Sequence, residues 1–154
     1  MKGGGHATNP GFSSTRGVEI AMTRFNEIKV NSSCGTVEVG AGLTWDQVYE
    51  ALEPTGLNVI GGRIPGVGVA GLALGGGKSL SSTEARSHMF SGYSFKTSQY
   101  GLAVDNIARF ELVLPNGAIT NVTSKDEDLW FGLRVSAEAR YKLMWLKVTH
   151  YREG

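Results

Sequence analysis

The chain has 154 residues, enough for one domain that buries about 70% of the surface its unfolded form exposes. Fifteen Lys and Arg against 14 Asp and Glu leave a formal charge of +1, which excludes the basic footprint of a nucleic-acid binder. A single cysteine, Cys34, excludes an intrachain disulfide and any cysteine-based metal site, and no apolar run approaches the length of a membrane span. Glycine is the outlier, with 22 residues, about twice the usual ~7% share. The glycines cluster at 3–17, 56–77 and 92–101 with well-patterned hydrophobic sequence between them. Clustered glycine in a foldable chain points to backbone that closely approaches a ligand or another backbone.

In chain order, Gly3-Gly4-Gly5-His6 comes first. Three adjacent glycines leave N–H groups unshielded and make positive φ accessible, so the loop can wrap a phosphate or pyrophosphate with main-chain donors. His6 then places a nucleophilic ring at the rim. A flexible linker that happens to hold a histidine is the plainer reading, and the tripeptide alone leaves both open. Val18-Glu19-Ile20-Ala21-Met22 alternates as a strand does, and Thr36-Val37-Glu38-Val39 repeats the pattern after the turn-like Asn31-Ser32-Ser33-Cys34-Gly35. From Thr44 the period changes to a helix over 44–52, with Gln47 as capping-box partner and Trp45, Val48 and Leu52 on one face. Pro54 and Gly56 stop it, and Leu57-Asn58-Val59-Ile60 reads as a short strand. The strongest strand is 107–114, turned by Pro115-Asn116-Gly117 into a hairpin partner at 118–122. A helix starts near Asp126, where acids complement its N-terminal dipole. The pattern is α+β with antiparallel hairpins, not an alternating βαβ series.

Two segments fit this pattern poorly. Residues 78–92 are polar, serine-rich and without period. The tail at 134–154 carries five Lys and Arg against two Glu, and its apolar residues are crowded into 141–148. It is compatible with a helix capped by Ser136; a membrane-surface helix would need a cleaner polar face. Asn31-Ser32-Ser33 and Asn121-Val122-Thr123 match the glycosylation acceptor triplet, a pattern that recurs by chance.

Several familiar motifs fail on context. Gly66-Val67-Gly68-Val69-Ala70-Gly71 spells the dinucleotide fingerprint, but Pro65 precedes it and no acidic residue closes a second strand ~20 residues later. Gly77-Lys78-Ser79 imitates the end of a P-loop, yet Leu72 stands where the motif needs its first glycine. His6, His88 and His150 lack metal-ligand spacing, and no Gly-x-Ser-x-Gly elbow is present.

Taken together, three blocks resemble the FAD-linked oxidases with a p-cresol methylhydroxylase (PCMH)-type FAD-binding domain, most closely the fungal berberine-bridge-enzyme-like oxidoreductases. They are the run from Lys2 through Gly3-Gly4-Gly5-His6 to Ser14; Gly61-Gly62-Arg63-Ile64-Pro65-Gly66-Val67-Gly68 continuing to Gly75-Gly76-Gly77; and Tyr93 through Tyr100-Gly101-Leu102-Ala103-Val104-Asp105-Asn106. The resemblance covers 2–77 and 93–133, and the order and spacing of the blocks make it specific. It implies a partial PCMH-type FAD-binding domain over 1–133, a mixed sheet with flanking helices and glycine-rich flavin loops. It also implies FAD as cofactor, with Gly3, Gly4 and Gly5 on the pyrophosphate and His6 joined covalently to the flavin 8α-methyl. Pro65, Gly66, Val67, Gly68, Gly71, Gly75, Gly76 and Gly77 would pass along pyrophosphate and isoalloxazine. Tyr100, Gly101, Leu102, Val104 and Asn106 would line the flavin and adenine side, with Asp105 as a brace. Ile64 stands where some members carry a second, cysteinyl link, so a single tether is expected.

The departures from the family qualify this. Residues 78–92 interrupt the family pattern, and 134–154 resembles none of it; both are expected to be translated intron, with Met1 an internal start. By resemblance the function is flavin-dependent oxidation of an alcohol, sugar or secondary metabolite, with molecular oxygen as acceptor and no nucleic-acid or membrane partner. The catalytic base and substrate domain are not found in the chain. A catalytically inactive nucleotide-binding fragment, or a mis-spliced product, is the alternative. Relatives are often secreted, but no signal peptide is visible, so the compartment stays open.

Overall fold

The computed structural model describes residues 2–6, 10–74, 94–135 and 142–152. Six strands form one sheet: β1 (Ile28–Asn31), β2 (Thr36–Gly40), β3 (Leu57–Val59), β4 (Ile107–Val113), β5 (Ile119–Val122) and β6 (Lys142–Arg152). The order is β1-β2-β6-β4-β5, and β3 also pairs with β6. β2 pairs with β6 as far as Thr149, opposite Thr36, and β3 pairs with it from His150, opposite Val59. Four helices complete the described chain: α1 (Trp45–Leu52), α2 (Val69–Leu74), α3 (Thr97–Tyr100) and α4 (Glu127–Val135).

Local chemistry explains most boundaries. Gln47 Oε1 accepts the Thr44 N–H at 2.9 Å, which fixes the start of α1. A 3-10 turn at Glu53–Thr55, with Pro54 in its first turn, ends it at Gly56 with φ 64°. The β4–β5 hairpin turns through Gly117 at φ 85°, closed by Leu114 N–H to the Ala118 carbonyl at 2.8 Å. In β4, the register slips between Ile107 and Arg109, so Ile107 and Phe110 both face the core although three residues apart.

The core gathers Val37, Val39, Phe110, Leu112, Leu146 and Val148 from the sheet with Trp45, Val48 and Leu52 of α1, Val69 and Ala73 of α2, and Leu133 of α4. Trp130 meets Phe110 edge-on at 5.4 Å. Among the described residues no helix is long and apolar enough to cross a membrane.

Three expectations are corrected. Residues 18–22 are not a strand: Val18 is 91% exposed and only Ala21 bridges, to Lys2. The pairing surface of β2 is taken by β1 instead. Every strand pairing among the described residues is antiparallel, and the one parallel contact among them is that Lys2–Ala21 bridge. The second glycine block is not loop throughout, because Val69 and Ala73, one helical turn apart, bury the face of α2. Beyond the end of α4 at Val135, the described part of the tail is a strand, not a helix. β6 lies between β2 and β4, burying Met144, Leu146 and Val148 on alternate positions. Ser136 and residues 78–92 lie outside the described residues.

Candidate functional site

The first two glycine blocks cross, backbone on backbone. A Cβ built on Gly4 would lie 2.7 Å from Gly68 N and 2.9 Å from the Gly66 carbonyl; one built on Gly68 would lie 2.6 Å from Gly4 N. Both neighbours are main chain, so only glycine permits the approach. Gly5 has φ 67° and Gly66 φ 80°, which direct the two loops away from the crossing. His6 is exposed, and a Cβ at Gly66 would stand 3.9 Å from its Cδ2.

The N–H groups of Gly3, Gly4, Gly5 and His6 find no acceptor among the described residues. Consecutive unpaired N–H groups around a left-handed glycine form a concavity suited to an anion. Lys2 lies beside it, its Cε 3.1 Å from the position of a Gly5 Cβ. The loop is tied at its start, by Lys2 N–H to the Ile20 carbonyl and Met22 N–H to the Lys2 carbonyl, each 2.9 Å. Ser13 Oγ donates to the Gly5 carbonyl at 3.2 Å.

The second loop is pinned by the start of α1. Trp45 N–H donates to the Val67 carbonyl at 3.0 Å and Val69 N–H to the Leu43 carbonyl at 2.9 Å. Asp46 Oδ1 accepts the Gly66 N–H at 2.8 Å. That bond holds the Asp46 carboxyl below its ordinary range, aided by its own N–H and the Thr44 hydroxyl and opposed by partial burial. Gly61 and Gly62 lie flat on the Trp45 indole, where a Cβ at Gly61 would meet the ring at 2.0 Å.

The third block is reached by a row of tyrosines. Tyr49 donates its hydroxyl to the Gly62 carbonyl at 2.9 Å, and burial, with Tyr151 nearby, raises the phenol well above its usual value. Tyr151 stacks on Tyr100 with centroids 4.6 Å apart. Beyond Tyr100, Gly101 has φ 79°, and Asp105 Oδ2 accepts the Leu102 N–H at 3.0 Å while Oδ1 pairs with Arg134. Asn106 Nδ2 donates to the Tyr100 and Leu102 carbonyls at 2.9 Å each. Ala103 and Val104 are buried, which anchors this segment on the core.

The structure therefore joins Gly3, Gly4, Gly5 and His6 to Gly66 and Gly68 directly. Val67 packs on the core, Pro65 is exposed beside Ile64, and Gly71 lies within α2 with nothing near its Cβ position. Tyr100, Gly101, Leu102, Val104 and Asn106 form a separately braced turn, linked to the glycine blocks through Tyr151 and Tyr49. Gly75, Gly76 and Gly77 lie outside the described residues. Sequence reasoning missed Asp46 and Lys2 as parts of the site. An acid in the first turn of a helix is sufficiently explained by the dipole, so Asp46 carried no separate signal.

Two glycine loops crossing backbone on backbone, with a histidine at the rim, thus stand on an antiparallel α+β scaffold. A family profile described as FAD binding domain matches residues 1–123, and the chain belongs to that family. It is 41% identical over 137 residues to the FAD-dependent monooxygenase yanF of Aspergillus niger, covering 87% of this chain and 21% of that protein. With the FAD-dependent monooxygenase macF of Penicillium terrestre it shares 42% over 137 residues, 87% of this chain and 24% of that one. The chain thus spans about a fifth to a quarter of the length of these relatives.

Among solved structures, 6-hydroxy-D-nicotine oxidase from Arthrobacter nicotinovorans superposes with a TM-score of 0.79 at 25% identity, over 98% of this chain and 30% of that one. Physcomitrella patens BBE-like 1 gives 0.70 at 28%, over 85% and 26%. A likeness in fold alone, 0.76 at 21% over 97% and 29%, extends to the Acremonium strictum glucooligosaccharide oxidase, described as carrying a 6-S-cysteinyl, 8α-N1-histidyl FAD. The cofactor of the family is FAD, and the glycine crossing and its open N–H groups fit the pyrophosphate of such a group.

Proposed function

We propose that this chain is the cofactor-holding part of an FAD-dependent oxidoreductase, with the 3–6 loop as pyrophosphate cradle and His6 as the single covalent anchor. The observation that carries the reading is the Gly4–Gly68 crossing, which only glycine permits and which brings the Gly66 end of the second loop beside His6. When bound, FAD supplies two-electron oxidation, and relatives of this class point to an alcohol, sugar or secondary metabolite as substrate and molecular oxygen as acceptor.

The chain's own residues hold and orient. Gly3, Gly4 and Gly5 donate main-chain N–H groups to phosphate oxygens, and Lys2 adds a positive charge beside them. Gly68 admits the close approach of the first loop, Gly71 leaves open space beside α2 for the ring system, and the braced turn of Tyr100, Gly101, Leu102, Val104 and Asn106 closes the far side. His6 would hold the flavin through its imidazole, at the rim of the cradle beside Gly66. Ile64 offers no thiol for a second link.

The test is acid precipitation of the expressed chain after incubation with FAD. Visible flavin absorbance is expected in the pellet of the wild-type chain and in the supernatant of His6→Ala. A folded, monodisperse chain that binds no flavin overturns the cradle; one that binds it but releases it on precipitation overturns the tether alone.

A further inference from the structure

The two loops form a scissor. Its pivot is Gly4 against Gly68, and its tips, two residues from the pivot on each strand, are His6 and Gly66. The pivot is held by main chain, through the bridge between Thr44 and Gly68. The Gly66 tip is held differently: its N–H goes to a side chain, Asp46 Oδ1, at 2.8 Å. Gly66 is in the left-handed region at φ 80°, a conformation the loop does not keep by chain preference alone.

We infer that Asp46 is a positioning residue for His6: by fastening the N–H of Gly66 it holds the tip of the second loop against the imidazole and so fixes where the ring meets the flavin. The inference rests on the reading of the two loops as the FAD cradle. Its chemical logic is that a carboxylate beside a phosphate site would otherwise be repulsive. Asp46 spends its acceptor on the second loop, whose Gly66 N–H is thereby withdrawn from the anion, while the N–H groups of the first loop stay free for phosphate. Bond formation at His6 depends on near-attack geometry, and a misplacement of about 1 Å can cost 10²-fold.

Asp46→Ala removes the clamp; Asp46→Asn keeps an Oδ1 acceptor; Gln47→Ala disturbs the cap of α1 without touching Gly66. With the full chain and saturating FAD, Asp46→Ala is expected to slow covalent flavin incorporation about tenfold or more, with Asp46→Asn restoring most of the rate and Gln47→Ala leaving it unchanged. Amide exchange at Gly66, read without flavin, is expected to quicken in Asp46→Ala only. Wild-type incorporation rates in Asp46→Ala, or equal slowing in Gln47→Ala, overturn the inference. A wild-type chain that couples no flavin overturns the tether beneath it, and unchanged Gly66 exchange then separately overturns the clamp.

Discussion

Asp46 shows how much one carboxylate can organise. Its pKa is lowered in the folded chain, chiefly by the Gly66 N–H. A depressed carboxylate stabilises the fold above its unfolded pKa of about 3.9, and that stabilisation is lost as pH falls through the lower, folded value. Asp46→Asn removes the charge and keeps the acceptor. The thermal midpoint of the wild type is therefore expected to exceed that of the variant at neutral pH, with the gap closing below about pH 3.9. A gap of equal size in acid and at neutrality, measured by thermal melts, would show that the charge contributes nothing. His6 was legible as a candidate because a reactive ring follows three glycines. Asp46 was not, because its partner is 20 residues away and only the folded loop brings Gly66 to it.

Elements with local signals were legible, and those defined by distant neighbours were not. The capping pair Thr44 and Gln47, the stop at Pro54 and Gly56, and the Pro115-Asn116-Gly117 hairpin are written in adjacent residues, so α1, β4 and β5 follow from them. β6 has no clean alternation because its second face is also covered. Trp145 meets Phe25 edge-on at 6.4 Å and lies under Lys29. Residues 18–22 alternate properly but find no partner strand. The second glycine block combines both cases, which two substitutions separate. Gly68→Ala drives a Cβ into the main chain of Gly4, and a loss of roughly 1–3 kcal/mol is expected from overpacking that rigid backbone resists. Gly71→Ala adds a methyl in open space inside α2, where about 0.5–1 kcal/mol of gain is expected. Chemical denaturation measures both. If Gly71→Ala is stabilising yet weakens FAD binding, the open space beside α2 is where the cofactor passes.

At the scale of the whole molecule, β6 decides what counts as the domain. The resemblance ended at residue 133 and set 134–154 apart, but the sheet is built around a strand drawn from that segment. β2 and β4 take the two sides of β6, and β3 also pairs with it, so removing it leaves β1–β2 and β4–β5 as two unconnected ribbons. Each ribbon would present a bare edge, and the buried faces of Phe110, Leu112, Val37 and Val39 would lose Leu146 and Val148. Two-stranded ribbons are marginal in water without a third strand or a covering helix. A chain cut after residue 133 is therefore expected to lose cooperative unfolding and amide protection in β2 and β4, whereas the 154-residue chain keeps both. The comparison also bears on the tail's origin. Sequence unrelated to the fold would contribute nothing by its presence, so a cut chain as stable as the full one would return 134–154 to the status of an appendage. Loss of folding in the cut chain, with Leu146→Ala in the full chain costing about 2–5 kcal/mol, would make β6 the strand that completes the flavin-holding sheet.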